Sequence, residues 1–249
     1  MSDSLREYNE RIGKRRVATW VPPQDVPGIK FYSDGNAKPL YGSTCIAWIE
    51  QESDLFRRLC DLQETIREGV EQAGLGGIYA FLEPESFHMT VCDIDSSPDP
   101  TQIPIDDRIE QVRGAFERMK KPGKVTTLIK GIGLQQAIAA LVRFDRDPGE
   151  LDKVLAMERG IKQATGEDVR EFTGHISIAY LVQRPGEAIN KIKEILLPYE
   201  DRVFGEFSFS QLDLTYFCDM NTYVPVLTVD LRDGTATYHD RASAVWHSS

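Results

Sequence analysis

The sequence predicts an α+β fold made from one unit used twice. Hydrophobic periodicity runs strand, helix, strand, helix, strand over about residues 43–133. It then repeats over about 136–231, with one further strand at the end. The middle strand of each unit carries the same short pattern: Phe87-His88-Met89-Thr90-Val91 in the first, Gly174-His175-Ile176-Ser177-Ile178 in the second. Composition fits a folded globular chain, with 41% hydrophobic and 27% charged residues, and 249 residues suffice for one large domain or two fused lobes.

Residues 1–42 stand apart. After a short helix expected over 3–12 they hold Pro22-Pro23, Pro27-Gly28, Ser33-Asp34-Gly35-Asn36 and Pro39, which is turn chemistry without periodicity. They read as an irregular extension able to wrap the body or cover a site, and Lys14-Arg15-Arg16 within it as a solvated face. Regular structure begins with an apolar strand at 43–50. Leu55, Leu59, Leu62, Ile66 and Val70 follow at helical spacing, with Ser53 as N-cap and Gly74 as the stop. The first motif strand spans 87–94. Ile109, Val112, Phe116 and Met119 mark a second helix ending near Pro122-Gly123, and 125–131 is a strand.

The second unit opens with an apolar strand at 137–144. Asp147-Pro148-Gly149-Glu150 is a strong helix start, with Asp as cap, Pro at the first position and Glu three residues after the cap. That helix buries Leu151, Val154, Leu155 and Ile161 and stops near Gly166. The second motif strand spans 175–183. Ile189, Ile192, Ile195 and Leu196 carry a helix that ends before Pro198, and strands follow at 206–217 and 222–231. Residues 232–249 are a polar tail. Each half, 43–133 and 136–231, is read as one lobe of a bilobal domain, with the two motif strands on facing sides of a shared cleft.

The paired pattern is where chemistry concentrates. Two of only four histidines occupy it. Period-two alternation sets His88 with Thr90, and His175 with Ser177, on one face, and Met89, Val91, Ile176 and Ile178 on the other. An imidazole beside a hydroxyl, presented twice, suits holding a phosphate and moving protons around it. One His-x-Thr alone carries little weight, since Thr and Ser fit any strand; two, flanked alike in a repeated frame, do not arise easily by chance. Cys92 would share the groove face, too far along the strand from His88 to bond it, as a small lining residue. Gly131-Ile132-Gly133 lacks the strand–loop–helix setting of a nucleotide-binding turn and marks a bend.

Other readings are excluded by composition or spacing. A net charge of −10 argues against binding along a nucleic-acid backbone, though not against a small anionic substrate in a locally basic groove. Cys45, Cys60, Cys92 and Cys218 have no Cys-x-x-Cys spacing and read as buried free thiols. His239-Asp240 has no partner cluster for a metal. No run is long enough to span a membrane, and the first residues lack a signal peptide's apolar stretch, so the expected location is cytoplasmic.

On these motifs the chain resembles the two-histidine (2H) phosphoesterase superfamily, which includes RNA 2′,3′-cyclic phosphodiesterases, over about residues 43–231. The resemblance implies two lobes with antiparallel sheets lining a central groove and helices outside. It carries His88, Thr90, His175 and Ser177 over as catalytic residues. It further implies metal-independent hydrolysis of a 2′,3′-cyclic phosphate or related small cyclic nucleotide, without cofactor, by one neutral and one protonated imidazole. The expected partner is a small phosphodiester or RNA end, with no long nucleic acid and no membrane. Arg143, Lys130 and Arg170 are candidates to neutralise the phosphate, and Tyr41, with Tyr79 and Phe87, to stack a base. The alternatives are a non-catalytic nucleotide or RNA-end binding module of the same fold, and an RNA-end ligase.

Overall fold

The computed structural model describes residues 3–21, 30–169 and 171–240. Five α-helices are present among them: α1 (Asp3–Gly13), α2 (Asp54–Gln72), α3 (Ile105–Arg118), α4 (Pro148–Thr165) and α5 (Ile189–Leu196). The strands are β1 (Tyr41–Trp48), β2 (Tyr79–Phe81), β3 (His88–Ser97), β4 (Val125–Leu134), β5 (Ala137–Arg143), β6 (His175–Leu181), β7 (Val203–Phe209), β8 (Gln211–Phe217), β9 (Tyr223–Asp230) and β10 (Ala236–Tyr238).

Local chemistry explains the helix starts. Ser53 accepts the Phe56 N–H at the head of α2, and Asp147 accepts the Gly149 N–H at the head of α4. Glu150 does not close a capping box; its carboxylate takes the Thr126 N–H and the Lys153 ammonium, tying α4 to β4. α4 ends on Gly166 in the left-handed conformation.

All ten strands join one antiparallel sheet in the order β10-β9-β8-β1-β3-β6-β5-β4-β7, with β2 pairing β6. The motif strands β3 and β6 therefore lie side by side at its centre, not on opposite walls of a cleft. A single registered pair, Met89 opposite Ile176, joins them. A pseudo-two-fold axis through that pair relates β1 to β5 and β8 to β4, each flanking its motif strand in turn.

This arrangement corrects the reading of the lobes as contiguous halves. β4, from the first half, pairs with β5 and β7 of the second. β8, from the second half, pairs with β1 of the first. Helices exchange in the same way: α2 packs against β7, α5 and β6, and α4 against α3 and β3. The expected single strand at 206–217 is two, broken at Ser210, because β7 and β8 run to opposite halves of the sheet. Within the expected tail, Ala236–Tyr238 adds β10 to β9.

The helices cover one sheet face. Met89, Val91, Ile176 and Ile178 point into that core and are buried. Gln63 of α2, also buried, donates its amide to the Leu82 and Ile178 carbonyls and so satisfies backbone beside β6. Of the Gly131-Ile132-Gly133 segment only Gly131 falls in a bulge of β4, between Ile129 and Ile132; Ile132 and Gly133 pair regularly with Ala140 and Ala139. Gly131 has φ +80°, and a Cβ there would collide with the Glu200 carbonyl. A Cβ on Gly133 would meet the backbone of Arg15 at 3.2 Å, so this strand end is shaped to receive the N-terminal extension.

Candidate active site

The opposite sheet face is open at the central seam. There His88, Thr90, His175 and Ser177 line one cavity of about 240 Å³. Antiparallel register through Met89 and Ile176 sets Thr90 across from His175, and His88 across from Ser177. The two histidines are thus diagonal neighbours across the seam, a placement whose usual spacing is roughly 7–8 Å and somewhat less at Cβ.

Both imidazoles are held in the same way. His88 Nδ1 lies 2.6 Å from the Ser86 carbonyl oxygen, and His175 Nδ1 lies 2.8 Å from that of Thr173. A carbonyl only accepts, so each Nδ1 carries the proton and each Nε2 is left to exchange one. Burial, the dominant cause, lowers His88 to about 4, helped by the Lys30 charge and opposed by the Ser86 bond and Asp93. His175 is lowered to about 4 as well, by burial first and then by Arg15 and Lys30. Aromatic packing desolvates His88 in particular, with the Tyr223 ring centroid 4.6 Å away and that of Trp48 5.8 Å away.

Each motif strand bulges at the same place. In β3, Ile46 pairs with Thr90 and Cys45 with Cys92, so Val91 is the extra residue. In β6, Ala139 pairs with Ser177 and Ile138 with Ala179, so Ile178 is the extra residue. A bulge reverses the alternation beyond it. The residue five after each histidine therefore faces the cavity: Asp93 in β3 and Tyr180 in β6. For the same reason Cys92, expected in the groove, is buried beneath the sheet.

Tyr180 joins Ser177 to Lys30. Its phenolic oxygen is 3.3 Å from Ser177 Oγ and accepts from Lys30 Nζ at 3.2 Å. The Lys30 ammonium also lies over the Tyr180 ring, 4.5 Å from the centroid. Burial acts to lower Lys30, but Tyr180 and Asp93 outweigh it and hold its pKa above the ordinary value, so the cation is secure. Lys162 of α4 lines the cavity too.

The candidate phosphate and base contacts lie elsewhere. Arg143 and Lys130 sit in β5 and β4, away from the seam. Arg143 is aimed at Asp145, 3.7 Å distant. Neither they nor Tyr41 lines the histidine cavity. Tyr41, at the start of β1, stacks on Tyr216. Tyr79 and Phe87 are buried in the core. Arg170 lies outside the described residues. Lys30, Asp93, Tyr180 and Tyr223 escaped the sequence reading because an irregular extension, two bulges and a distant strand bring them together. No group of three or more potential metal-ligating side chains is found among the described residues. None of the described helices is long and apolar enough to cross a membrane.

The fold is α+β, and with its paired site it resembles the two-histidine phosphoesterases. Comparison with known proteins agrees. Residues 30–121 match the family model 2H-phosphodiest, described as a domain of unknown function (DUF1868). A conserved protein of unknown function from Agrobacterium tumefaciens, ATU0111, has a similar structure at TM-score 0.59 and 16% identity, covering 90% of this chain and 98% of that one. A phosphoesterase crystal structure aligns at TM-score 0.50 and 10% identity, covering 79% and 100%. Escherichia coli LigT complexed with 3′-AMP aligns at TM-score 0.50 and 9% identity, covering 77% and 98%. At such identities the likeness is one of fold. No curated protein matches the sequence.

Proposed function

We propose that the protein is a phosphodiesterase that hydrolyses a 2′,3′-cyclic phosphate or a related small cyclic nucleotide by paired histidine acid–base catalysis. The observation that carries this reading is the symmetry of the seam: two imidazoles, each with Nδ1 fixed to a carbonyl two residues earlier, each facing the other strand's hydroxyl residue. One Nε2 takes a proton from water as the water oxygen attacks phosphorus. The phosphorus–oxygen bond to the ribose breaks on the far side, and the departing oxygen receives a proton from the other, protonated imidazole. Thr90 and Ser177 donate hydrogen bonds to the non-bridging oxygens as charge builds there, and Lys30 supplies a fixed positive charge beside them.

With both histidines lowered to about 4, the free site is neutral in its two imidazoles at pH 7. An anionic phosphodiester between the rings favours the imidazolium, so the acid forms as the substrate binds. Asp93, which raises both histidines, supports the same step. Every proton transfer in this scheme is made by side chains of the seam.

The test is hydrolysis of a panel of 2′,3′-cyclic mononucleotides in EDTA by the wild type and by His88→Ala and His175→Ala. Turnover that persists in chelator and falls by roughly 10²–10⁴-fold in each variant is expected. Turnover indifferent to either substitution would mean that the two histidines are not the acid and base.

A further inference from the structure

A second cavity, of about 720 Å³, adjoins the first and shares Lys30, Asp93, His175 and Tyr180 with it. Its outer wall is the N-terminal extension, through Lys14, Arg15, Thr19 and Trp20; its floor is the β4–β5 turn at Gln135 and Gln136. Lys14-Arg15-Arg16, expected to be a solvated face, divides three ways. Arg16 turns outward to Glu200 at 2.6 Å. Arg15 is half-buried and points inward, where its charge is felt by His175 and by Tyr180. Lys14 stands at the exposed rim.

This placement is built. The Arg15 carbonyl accepts the Leu134 N–H at 2.9 Å, and Gly133 leaves the space in which the Arg15 backbone lies. Trp20 is buried and donates its indole N–H to the Gln135 carbonyl at 3.2 Å, which pins the extension to the same turn. Neither Arg15 nor Lys14 makes an ion pair among the described residues, whereas Arg16, their neighbour, makes two. Burial opposes the charge of Arg15, lowering its pKa. A guanidinium kept partly desolvated without a carboxylate partner lacks the compensation such groups normally have. Among the described residues Asp93 is the one acidic side chain lining this cavity, and it sits at the junction with the histidines.

We infer that Arg15 and Lys14 form a subsite for a second phosphate, so that the preferred substrate carries a further phosphoryl group beyond the cyclic diester held at the histidines. The inference rests on the reading of the site given above and extends it to a substrate class. Both cations precede residues 30–121, so they lie outside the segment matched by the family model. The cyclic diester occupies the seam, and the rest of the substrate runs past Lys30 towards Arg15.

Titration calorimetry with adenosine 3′-monophosphate and adenosine 3′,5′-bisphosphate tests this without requiring turnover. The bisphosphate should bind the wild type at least about tenfold more tightly, the scale of one charge-assisted contact. Arg15→Gln should abolish most of that ratio. Lys14→Gln, at an exposed position that leaves folding intact, should reduce it. Equal affinities, no binding of either nucleotide, or a ratio that survives both substitutions would overturn the subsite. Hydrolysis of adenosine 2′,3′-cyclic phosphate, measured alongside, separates the two claims. Turnover without any preference for the bisphosphate sinks the subsite alone. A preference for the bisphosphate without turnover sinks hydrolysis alone.

Discussion

At the scale of single residues, the site's behaviour turns on two imidazoles that are hard to protonate. Groups of the free protein govern kcat/KM, and groups of the complex govern kcat. The pair must hold one proton, yet both members titrate at about 4 before substrate arrives. Between pH 5 and 9, kcat/KM should therefore fall by about tenfold per pH unit. The falling limb of kcat should lie at higher pH, because bound phosphate stabilises the imidazolium. Asp93→Asn, which removes a charge favouring both protonated rings, should move each limb to lower pH. A kcat/KM limb at pH 7 or above would show that the free site already holds an imidazolium. Of this site, the sequence displayed the four motif residues plainly, because period two and a repeated frame need no tertiary knowledge. Lys30 could not be read, since nothing local marks one lysine in a Pro/Gly-rich stretch as the one beside Tyr180.

At the scale of elements, three bulges do what regular strands cannot. Those in β3 and β6 bring Asp93 and Tyr180 to the face already holding His88 and His175. Strict alternation placed Cys92 there instead, and the error measures how far one inserted residue moves chemistry across a sheet. The third bulge, in β4, depends on Gly131. Its φ of +80° is left-handed, and an added Cβ would meet the Glu200 carbonyl. Gly131→Ala should thus cost about 2 kcal/mol or more, from backbone strain and a contact with main chain that cannot rotate away. The urea midpoint should fall while the slope stays constant. An unchanged midpoint would mean that the bulge relaxes freely. The helix limits at Ser53, Asp147 and Gly166 were the most legible, since these residues act through local bonds, whereas α3 stops at Arg118, short of the expected Pro122-Gly123.

At the scale of the whole molecule, the order of the main elements was readable, short strands such as β2 and β10 aside, and their partnership was not. β4 and β8 each leave their own repeat to pair with the other, a choice made by long-range packing that leaves no periodic trace. The exchange makes the halves interdependent, so unfolding should report on the sheet as one body, and its pH dependence on groups buried at both faces. His88 and His175 bind protons less readily folded than unfolded, so between about pH 4 and 6.5 the unfolded chain holds more protons and stability rises with pH. Glu158, buried in α4, works against this. Burial raises it to about 7, against lowering by Lys162, Arg11 and Arg159, so the folded state holds its proton and that contribution is lost as pH rises from 4.5 through 7. Two histidines outweigh one carboxyl, and the wild type should gain stability from pH 4.5 to 6.5. Glu158→Gln should steepen the gain, and His88→Gln with His175→Gln should reverse its sign. Urea midpoints across that interval decide the matter. If the double variant kept the wild-type slope, the histidines would not be held neutral by the fold, and proton uptake on substrate binding would lose its physical basis.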